Sequence, residues 1–201
     1  MRELVIATRN LGKVREIGDI LLQAGIEAAL RSLADCPGVE LPPETGDTFA
    51  ANAIAKAQAA ARATGQVALA DDSGIEVEAL GGAPGVMSNR FAGEGASDRA
   101  KYEKLLGLLQ GVEETRRGAR FRCVVAVASP DGEVQTVEGT CEGRIAAAPR
   151  GGGGFGYDPV FVPAGLDRTM AELSPEEKNQ RSHRGRAVRA AVARLRELGF
   201  R

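Results

Sequence analysis

Tryptophan is absent from this 201-residue chain, and six phenylalanines and two tyrosines are its only aromatic residues. The core must therefore rest on Val, Ile, Leu and Ala, which are spread along the whole length. Histidine occurs once, at His183, and a lone histidine is a poor candidate for a metal ligand. The three cysteines, Cys36, Cys123 and Cys141, match neither a CxxC metal pattern nor an even disulfide framework. Cys123 and Cys141 stand where they would face each other across a hairpin, but a reduced, intracellular protein is the simpler reading. Long apolar runs are missing too. None approaches the roughly 18 residues of a membrane helix, and the run 4–7 is too short for the apolar segment of a signal peptide. A soluble, cytoplasmic protein is expected. Excess charge of either sign is also lacking, since 26 basic residues nearly cancel 27 acidic ones. That argues against a protein built to coat nucleic acid, so any anion site must be local.

What is present is ample apolar material. Hydrophobic residues make up 43%, and a chain of this size buries roughly 70% of its unfolded surface without help from disulfide or metal. A single domain spanning 1–201, with two closely joined lobes possible, is expected. Residues 4–7 read as a short buried strand that meets a polar cluster at Thr8-Arg9-Asn10. From Val14, apolar positions at Ile17, Leu21 and Ala24 recur at helical spacing until Gly25. After a Pro/Gly/Asp-rich loop over 35–46, Asp47 or Thr48 can cap a helix through Phe49, Ile54 and Ala57 to about Ala63. On it, Asn52 and Lys56 stand four apart and share a face.

Residues 66–70 read as a strand that stops at Asp71-Asp72-Ser73-Gly74. Ile75, Val77 and Ala79 then alternate with acids, as in a half-buried strand. Ser97 opens a helix ending near Gln110. Segments 121–128 and 134–141 form a predicted hairpin around Pro130-Asp131-Gly132. Four glycines, 151–154, lead into Phe155 and a strand over 160–162. Ser174-Pro175-Glu176-Glu177 is a capping box with proline at the first helical position. A last helix covers about 184–198. Interleaved strands and helices predict an α/β fold with a mixed sheet.

Four segments carry candidate chemistry. Thr8-Arg9-Asn10-Leu11-Gly12-Lys13 lies between a strand and a helix, where backbone amides and a nearby ammonium suit phosphate oxygens. A solvated polar turn is the plainer alternative, and the spacing is not that of a P-loop. Asp71 and Asp72 place two adjacent carboxylates at the end of an apolar strand, where they repel each other and add nothing to a core. A hard divalent cation with oxygen ligands would turn that cost into a function. If the chain is extended there, the two side chains point apart, so one of them is the direct ligand or base. Glu44 supplies a plausible second carboxylate, and a hydrogen-bonded turn is the alternative. Gly154-Phe155-Gly156-Tyr157-Asp158 flanks an aromatic ring with glycines, which lets a flat base approach the backbone and stack. A loop plugging a core edge is the alternative. Lys178 and Ser182-His183-Arg184 sit in a basic tail. Lys178 and Arg184 could donate to a base carbonyl or to phosphate, or simply belong to a solvated helix face.

Taken in this order, the segments resemble the inosine triphosphate pyrophosphatase family, also called the Ham1-like or dITP/XTP pyrophosphatase family. The likeness runs from Ala7-Thr8-Arg9-Asn10 and Gly12-Lys13 through Glu44-Thr45-Gly46, Phe49 and Asn52-Ala53. It continues through Ala70-Asp71-Asp72-Ser73-Gly74 and 80–86 to Phe155-Gly156-Tyr157-Asp158-Pro159, Glu177-Lys178-Asn179 and Ser182-His183-Arg184. The resemblance implies an elongated mixed sheet flanked by helices, two lobes with a central substrate cleft, and a homodimer using the segment 85–93. At Met87 and Asn89 the sequence departs from the residues that relatives more often carry. It implies hydrolysis of ITP, dITP and XTP to the monophosphate and pyrophosphate, by water attacking the α-phosphorus. Thr8, Arg9, Asn10, Leu11, Gly12, Lys13 and Lys56 would hold the triphosphate. Glu44 and Asp72 would bind Mg²⁺, Asp72 would also accept the proton, and Ser73 would touch substrate beside them. Phe155 would stack on the base within a pocket shaped by Gly156, Tyr157 and Asp158. Lys178, His183 and Arg184 would read the 6-keto edge. Two rivals differ in prediction: a pyrophosphatase for other modified nucleotides would prefer dUTP or a methylated base, and a nucleotide- or RNA-binding module would release no pyrophosphate.

Overall fold

The computed structural model of the chain describes residues 2–201. Among the described residues, six strands form one mixed sheet in the order β2-β1-β3-β4-β5-β6, flanked by five α-helices. β1 (Arg2–Ile6) lies between two parallel neighbours. It pairs with β2 (Ala28–Ser32) from Arg2 opposite Ala28 to Ile6 opposite Ser32. On its other side it pairs with β3 (Val67–Val77), Leu4 opposite Val67 and Ile6 opposite Leu69. Each crossover carries a helix, as parallel pairing requires. α1 (Leu11–Gln23) links β1 to β2, and α2 (Phe49–Thr64) precedes β3. β4 (Gly118–Ala128) and β5 (Val134–Ile145) form the expected hairpin. Its turn is closed by the Ser129 amide on the Glu133 carbonyl and the Gly132 amide on Ser129. β6 (Phe161–Pro163) runs antiparallel to β5, Ile145 opposite Phe161.

Two compact units divide the chain, with the boundary falling inside β3, β4 and β5. The first comprises residues 2–72, Cys123–Gly139 and His183–Arg201, and the second Ser73–Arg122 and Thr140–Ser182. The first core is aliphatic, as the shortage of rings demands. Leu4 and Ile6 of β1 and Ile17, Ile20 and Leu21 of α1 pack with Val125, Val188 and Leu195. Val188 and Leu195 lie on the inner face of α5 (His183–Glu197). The second core gathers most of the aromatics: Phe121, Tyr157 and Phe161 join Ile75, Val77, Leu105 and Ile145. The rings of Phe121 and Phe161 meet edge to face, 4.6 Å between centroids. Leu105 comes from α3 (Asp98–Leu108), whose N-cap is Ser97. α4 (Pro175–Arg181) carries the predicted capping box, Ser174 and Glu177 each bonding the other's backbone. None of Cys36, Cys123 and Cys141 forms a disulfide, and all three are buried. No helix among the described residues is long and apolar enough to cross a membrane.

Two expectations are corrected. The strand before Asp71 does not stop there: β3 runs unbroken through Asp71, Asp72, Ser73 and Gly74. Adjacent carboxylates are tolerated inside it because each has its own cations and donors, described below. β2 has no counterpart among the expected strands. It is an edge strand, mostly half-buried or exposed, so Ala28-Ala29-Leu30-Arg31-Ser32 shows neither alternation nor a fully apolar run.

Candidate active site

In the first unit, the chain leaves β1 into a polar turn that begins α1. Asn10 is the N-cap, its Oδ1 accepting from the Gly12 and Lys13 amides at 2.9 and 3.2 Å, and its own amide donates to Thr8 Oγ1. Those two α1 amides, which the sequence reading offered to phosphate, are thus already paired with a side chain. Leu11 is exposed, and Arg9 reaches the Val39 carbonyl at 3.3 Å. Lys13 turns inward and its Nζ lies 3.0 Å from Asp71.

Asp71 and Asp72 follow each other along β3, so their side chains leave on opposite faces, and they meet different partners. Asp71 accepts from Lys13 and from Nε and Nη2 of Arg184 at 3.1 and 3.0 Å. Arg184, near the start of α5, also donates through Nη1 to Glu16 at 2.7 Å. Burial works to raise the Asp71 carboxyl's pKa, but the Lys13 ammonium and the Arg184 guanidinium outweigh it and hold the group well below the usual carboxylate range. Arg184 is pushed the other way. Burial disfavours its charge, yet Asp71 and Glu16 more than compensate. These groups make a nearly dry ion cluster: the side chains of Asp71 and Arg184 are 1% and 3% exposed.

Asp72 meets α2. Lys56 Nζ donates to Asp72 Oδ1 at 2.9 Å and to Glu44 Oε1 at 2.8 Å, and Asn52 Nδ2 donates to Asp72 Oδ2 at 3.0 Å. The four-residue spacing of Asn52 and Lys56 is what brings both onto one carboxylate. Asn52 also ties down the loop bearing Glu44: its Oδ1 accepts from the Gly46 amide at 2.8 Å. The fit is so close that a Cβ on Gly46 would lie 2.6 Å from that oxygen. Burial raises the Asp72 pKa, and neighbouring Glu44 adds to it, against the pull of Lys56 and Asn52. Lys56 itself stays charged, since Asp72, Asp71 and Glu44 overcome the cost of its burial.

Glu44 and Asp72 are two hard oxygen donors gathered about a single positive charge. That set fits a small divalent ion which keeps several waters and takes the rest of its oxygens from phosphates. A three-residue His/Cys/Asp/Glu cluster, such as a wholly protein-ligated ion would use, is not found among the described residues.

The second unit builds a different constellation. Phe155 lies in the turn that the glycine run leads into. Its amide donates to Asp158 Oδ2 at 2.9 Å, and the same oxygen takes Lys178 Nζ at 2.5 Å. Lys178, on α4, also stands 4.6 Å from the centre of the Phe155 ring, a cation–π distance. Gly154 has φ +70°, and a Cβ there would run into the Asp158 carboxylate, so both its backbone angle and its lack of a side chain are required. Tyr157 is buried with its hydroxyl on the Ser88 carbonyl at 2.8 Å. Burial, with Asp98 nearby, pushes that phenol well above its ordinary value.

The model of the Ham1 family matches residues 4–194. The chain belongs to the Ham1 family. It is 52% identical over 196 residues to a dITP/XTP pyrophosphatase of Desulforamulus reducens, covering 98% of this chain and 96% of that one. A dITP/XTP pyrophosphatase of Geobacillus kaustophilus is 53% identical over 188 residues, 94% and 91% of the two chains. Among solved structures, a HAM1 protein from Coxiella burnetii superposes with a TM-score of 0.86 at 42% identity, covering 98% of this chain and all of that one.

Within this Ham1 chain, the first unit holds Glu44, Lys56 and Asp72 in one contact group and Lys13 with Arg184 in the other. The second holds Phe155, Asp158 and Lys178 together, with Gly156 and Tyr157 between them in sequence. Ser73, next to Asp72, is half-buried. His183 and Arg184 are buried and belong to the first unit, where Arg184 is bonded to Asp71. Asn52 and Glu16 were not singled out as site residues from sequence. For Asn52 the signal was its helical spacing from Lys56; for Glu16, whose partner is 168 residues away, no sequence signal exists.

Proposed function

We propose that this chain hydrolyses deaminated purine nucleoside triphosphates, dITP, ITP and XTP, to the monophosphate and pyrophosphate. The observation that carries the proposal is the Glu44–Lys56–Asp72 group, an acid pair ready for a cation beside a lysine suited to phosphate, in a chain about half identical to relatives named dITP/XTP pyrophosphatase. Mg²⁺ is the proposed cofactor, with Glu44 and Asp72 as its ligands. When bound, it neutralises phosphate oxygens and so favours the charge that builds on the leaving group.

The remaining chemistry falls to side chains. Lys56 now divides its charge between two carboxylates; once those face a metal, its ammonium can turn to a phosphate oxygen. Lys13 and the 8–12 turn add donors for the rest of the triphosphate, and Ser73 a hydroxyl. Water attacks the α-phosphorus, a new P–O bond forms, and the bond to the bridging oxygen of pyrophosphate breaks. Asp72 accepts the water's proton. In the second unit the Phe155 ring is the proposed stacking surface, Gly156 lets the base close on the backbone, and Tyr157 and Asp158 hold the turn from behind. Lys178, His183 and Arg184 are the proposed donors toward a 6-keto oxygen. Adenine offers an amino group there and would leave such donors unpaired. The 201 residues are proposed to act as one catalytic domain, in the cytoplasm, as a homodimer whose interface includes the 85–93 segment, where Met87 is exposed.

Pyrophosphate release from ITP, XTP, GTP, ATP and dUTP, each with and without Mg²⁺, tests the reading. Fast metal-dependent release from ITP and XTP alone is expected. Release from ATP or dUTP in preference would overturn the 6-keto assignment, and release from none would overturn the enzyme.

A further inference from the structure

The turn that carries Phe155 is held by two carboxylates on two successive amides. Asp158 takes the Phe155 amide from within the turn. The Gly156 amide goes instead to Asp98 Oδ2 at 2.7 Å, across 58 positions of sequence. Asp98 is the first residue of α3, and its other oxygen is gripped by Lys101 Nζ at 3.1 Å, one turn further along. Lys101 is nearly buried and reaches in addition to Asn89 Oδ1 at 3.2 Å. Asn89 sits in the short helical turn Gly85–Arg90, to which Tyr157 is hooked through the Ser88 carbonyl. The start of α3, the 85–90 turn and the Phe155 turn are thereby linked by charged or buried hydrogen bonds.

Gly156 has φ +65° and nothing within 4 Å of the place where a Cβ would stand. Neither side-chain packing nor a neighbouring wall therefore sets the pitch of the turn at this residue. The hydrogen bond of its amide to Asp98 holds it, together with the Asp158 amide on the Phe155 carbonyl that closes the turn. A carboxylate accepting from a backbone amide makes a short, strong bond, and Lys101 holds that carboxylate in place through its other oxygen.

We propose that Asp98 is a positioning residue for base recognition: by holding the Gly156 amide it fixes the attitude of the Phe155 ring, with Lys101 as its brace. This rests on the stacking role proposed for Phe155. It makes Asp98 a determinant of how tightly a purine triphosphate is bound, with no part in the phosphate chemistry.

The test is steady-state hydrolysis of ITP with Mg²⁺ by wild type, Asp98→Ala, Asp98→Asn, Lys101→Met and Ser97→Ala. Asp98→Ala should raise KM roughly three- to tenfold, the scale of one partly exposed hydrogen bond, with kcat within about twofold of wild type. Asp98→Asn keeps an acceptor oxygen and should recover most of the loss. Lys101→Met should shift KM in the same direction by less. Ser97→Ala removes the α3 cap bond to the Ala100 amide without touching Gly156, so it should lower the melting temperature and leave KM alone. An unchanged KM in Asp98→Ala, a loss confined to kcat, or an equal KM rise in Ser97→Ala would overturn the proposal. Should Asp98→Ala fail to fold, Lys101→Met decides on the same criterion. A wild type that releases no pyrophosphate from ITP or XTP removes the Phe155 reading itself; an active wild type with an indifferent Asp98 removes only this inference.

Discussion

Replacing Asp71 by Asn tests the buried ion cluster directly. The change keeps the shape and one acceptor oxygen but deletes the charge that Lys13 and Arg184 share at 3.0 Å each. Arg184, whose side chain is 3% exposed, then keeps Glu16 but loses the charge of Asp71. Removing one member of a buried ion pair typically costs ~3–5 kcal/mol, and the retained acceptor argues for the lower end. For a chain of this size each kcal/mol lowers Tm by roughly 2–4 °C, so a fall of about 10 °C is expected at pH 7. The pH dependence sharpens the test. Asp71 has a folded-state pKa below its unfolded value, so its ionisation stabilises the fold above the ordinary carboxylate range. That contribution is lost as pH falls below the unfolded value of about 3.9 toward the folded one. The gap between wild type and variant should therefore be constant from neutral pH down to about pH 5 and narrow below about pH 4. Thermal unfolding followed by far-UV circular dichroism at intervals from pH 7 to pH 3 measures both. A variant within about 2 °C of wild type at pH 7 would refute the cluster as a source of stability. So would a gap that widens on acidification.

Asp72→Asn should reduce ITP turnover by about two to four orders of magnitude while leaving the circular dichroism spectrum unchanged, because a general base is worth that much. Gly46→Ala would force Asn52 off the loop that presents Glu44. The Mg²⁺ concentration for half-maximal activity should then rise roughly tenfold, as for a lost supporting contact to a metal ligand, with Tm little changed. An unaltered Mg²⁺ titration would detach that loop from the metal.

Much of the frame was legible because it follows from local rules. The Ser174 capping box, the Thr48 cap of α2, the Gly132 hairpin and the periodic face of α1 all appear where the spacing puts them. What escaped was set by partners remote in sequence. β2 is a strand because β1 lies beside it, and its own five residues carry no period. Arg184 reads in sequence as a basic side chain in a basic tail, yet it is enclosed by Asp71 and Glu16. The acidic pair shows the division most plainly. Two adjacent carboxylates predict a broken strand only if both must share one environment. The alternation of an extended chain points them apart, and β3 uses that: Asp71 goes to Lys13 and Arg184, and Asp72 to Lys56 and Asn52. Repulsion between neighbours is met by a separate cation on each side, so the strand continues. The two carboxyls are also shifted in opposite directions, Asp71 lowered by its two cations and Asp72 raised by burial. Adjacency in sequence thus places a structural acid and a candidate catalytic one a single residue apart, and only the identity of their partners distinguishes them.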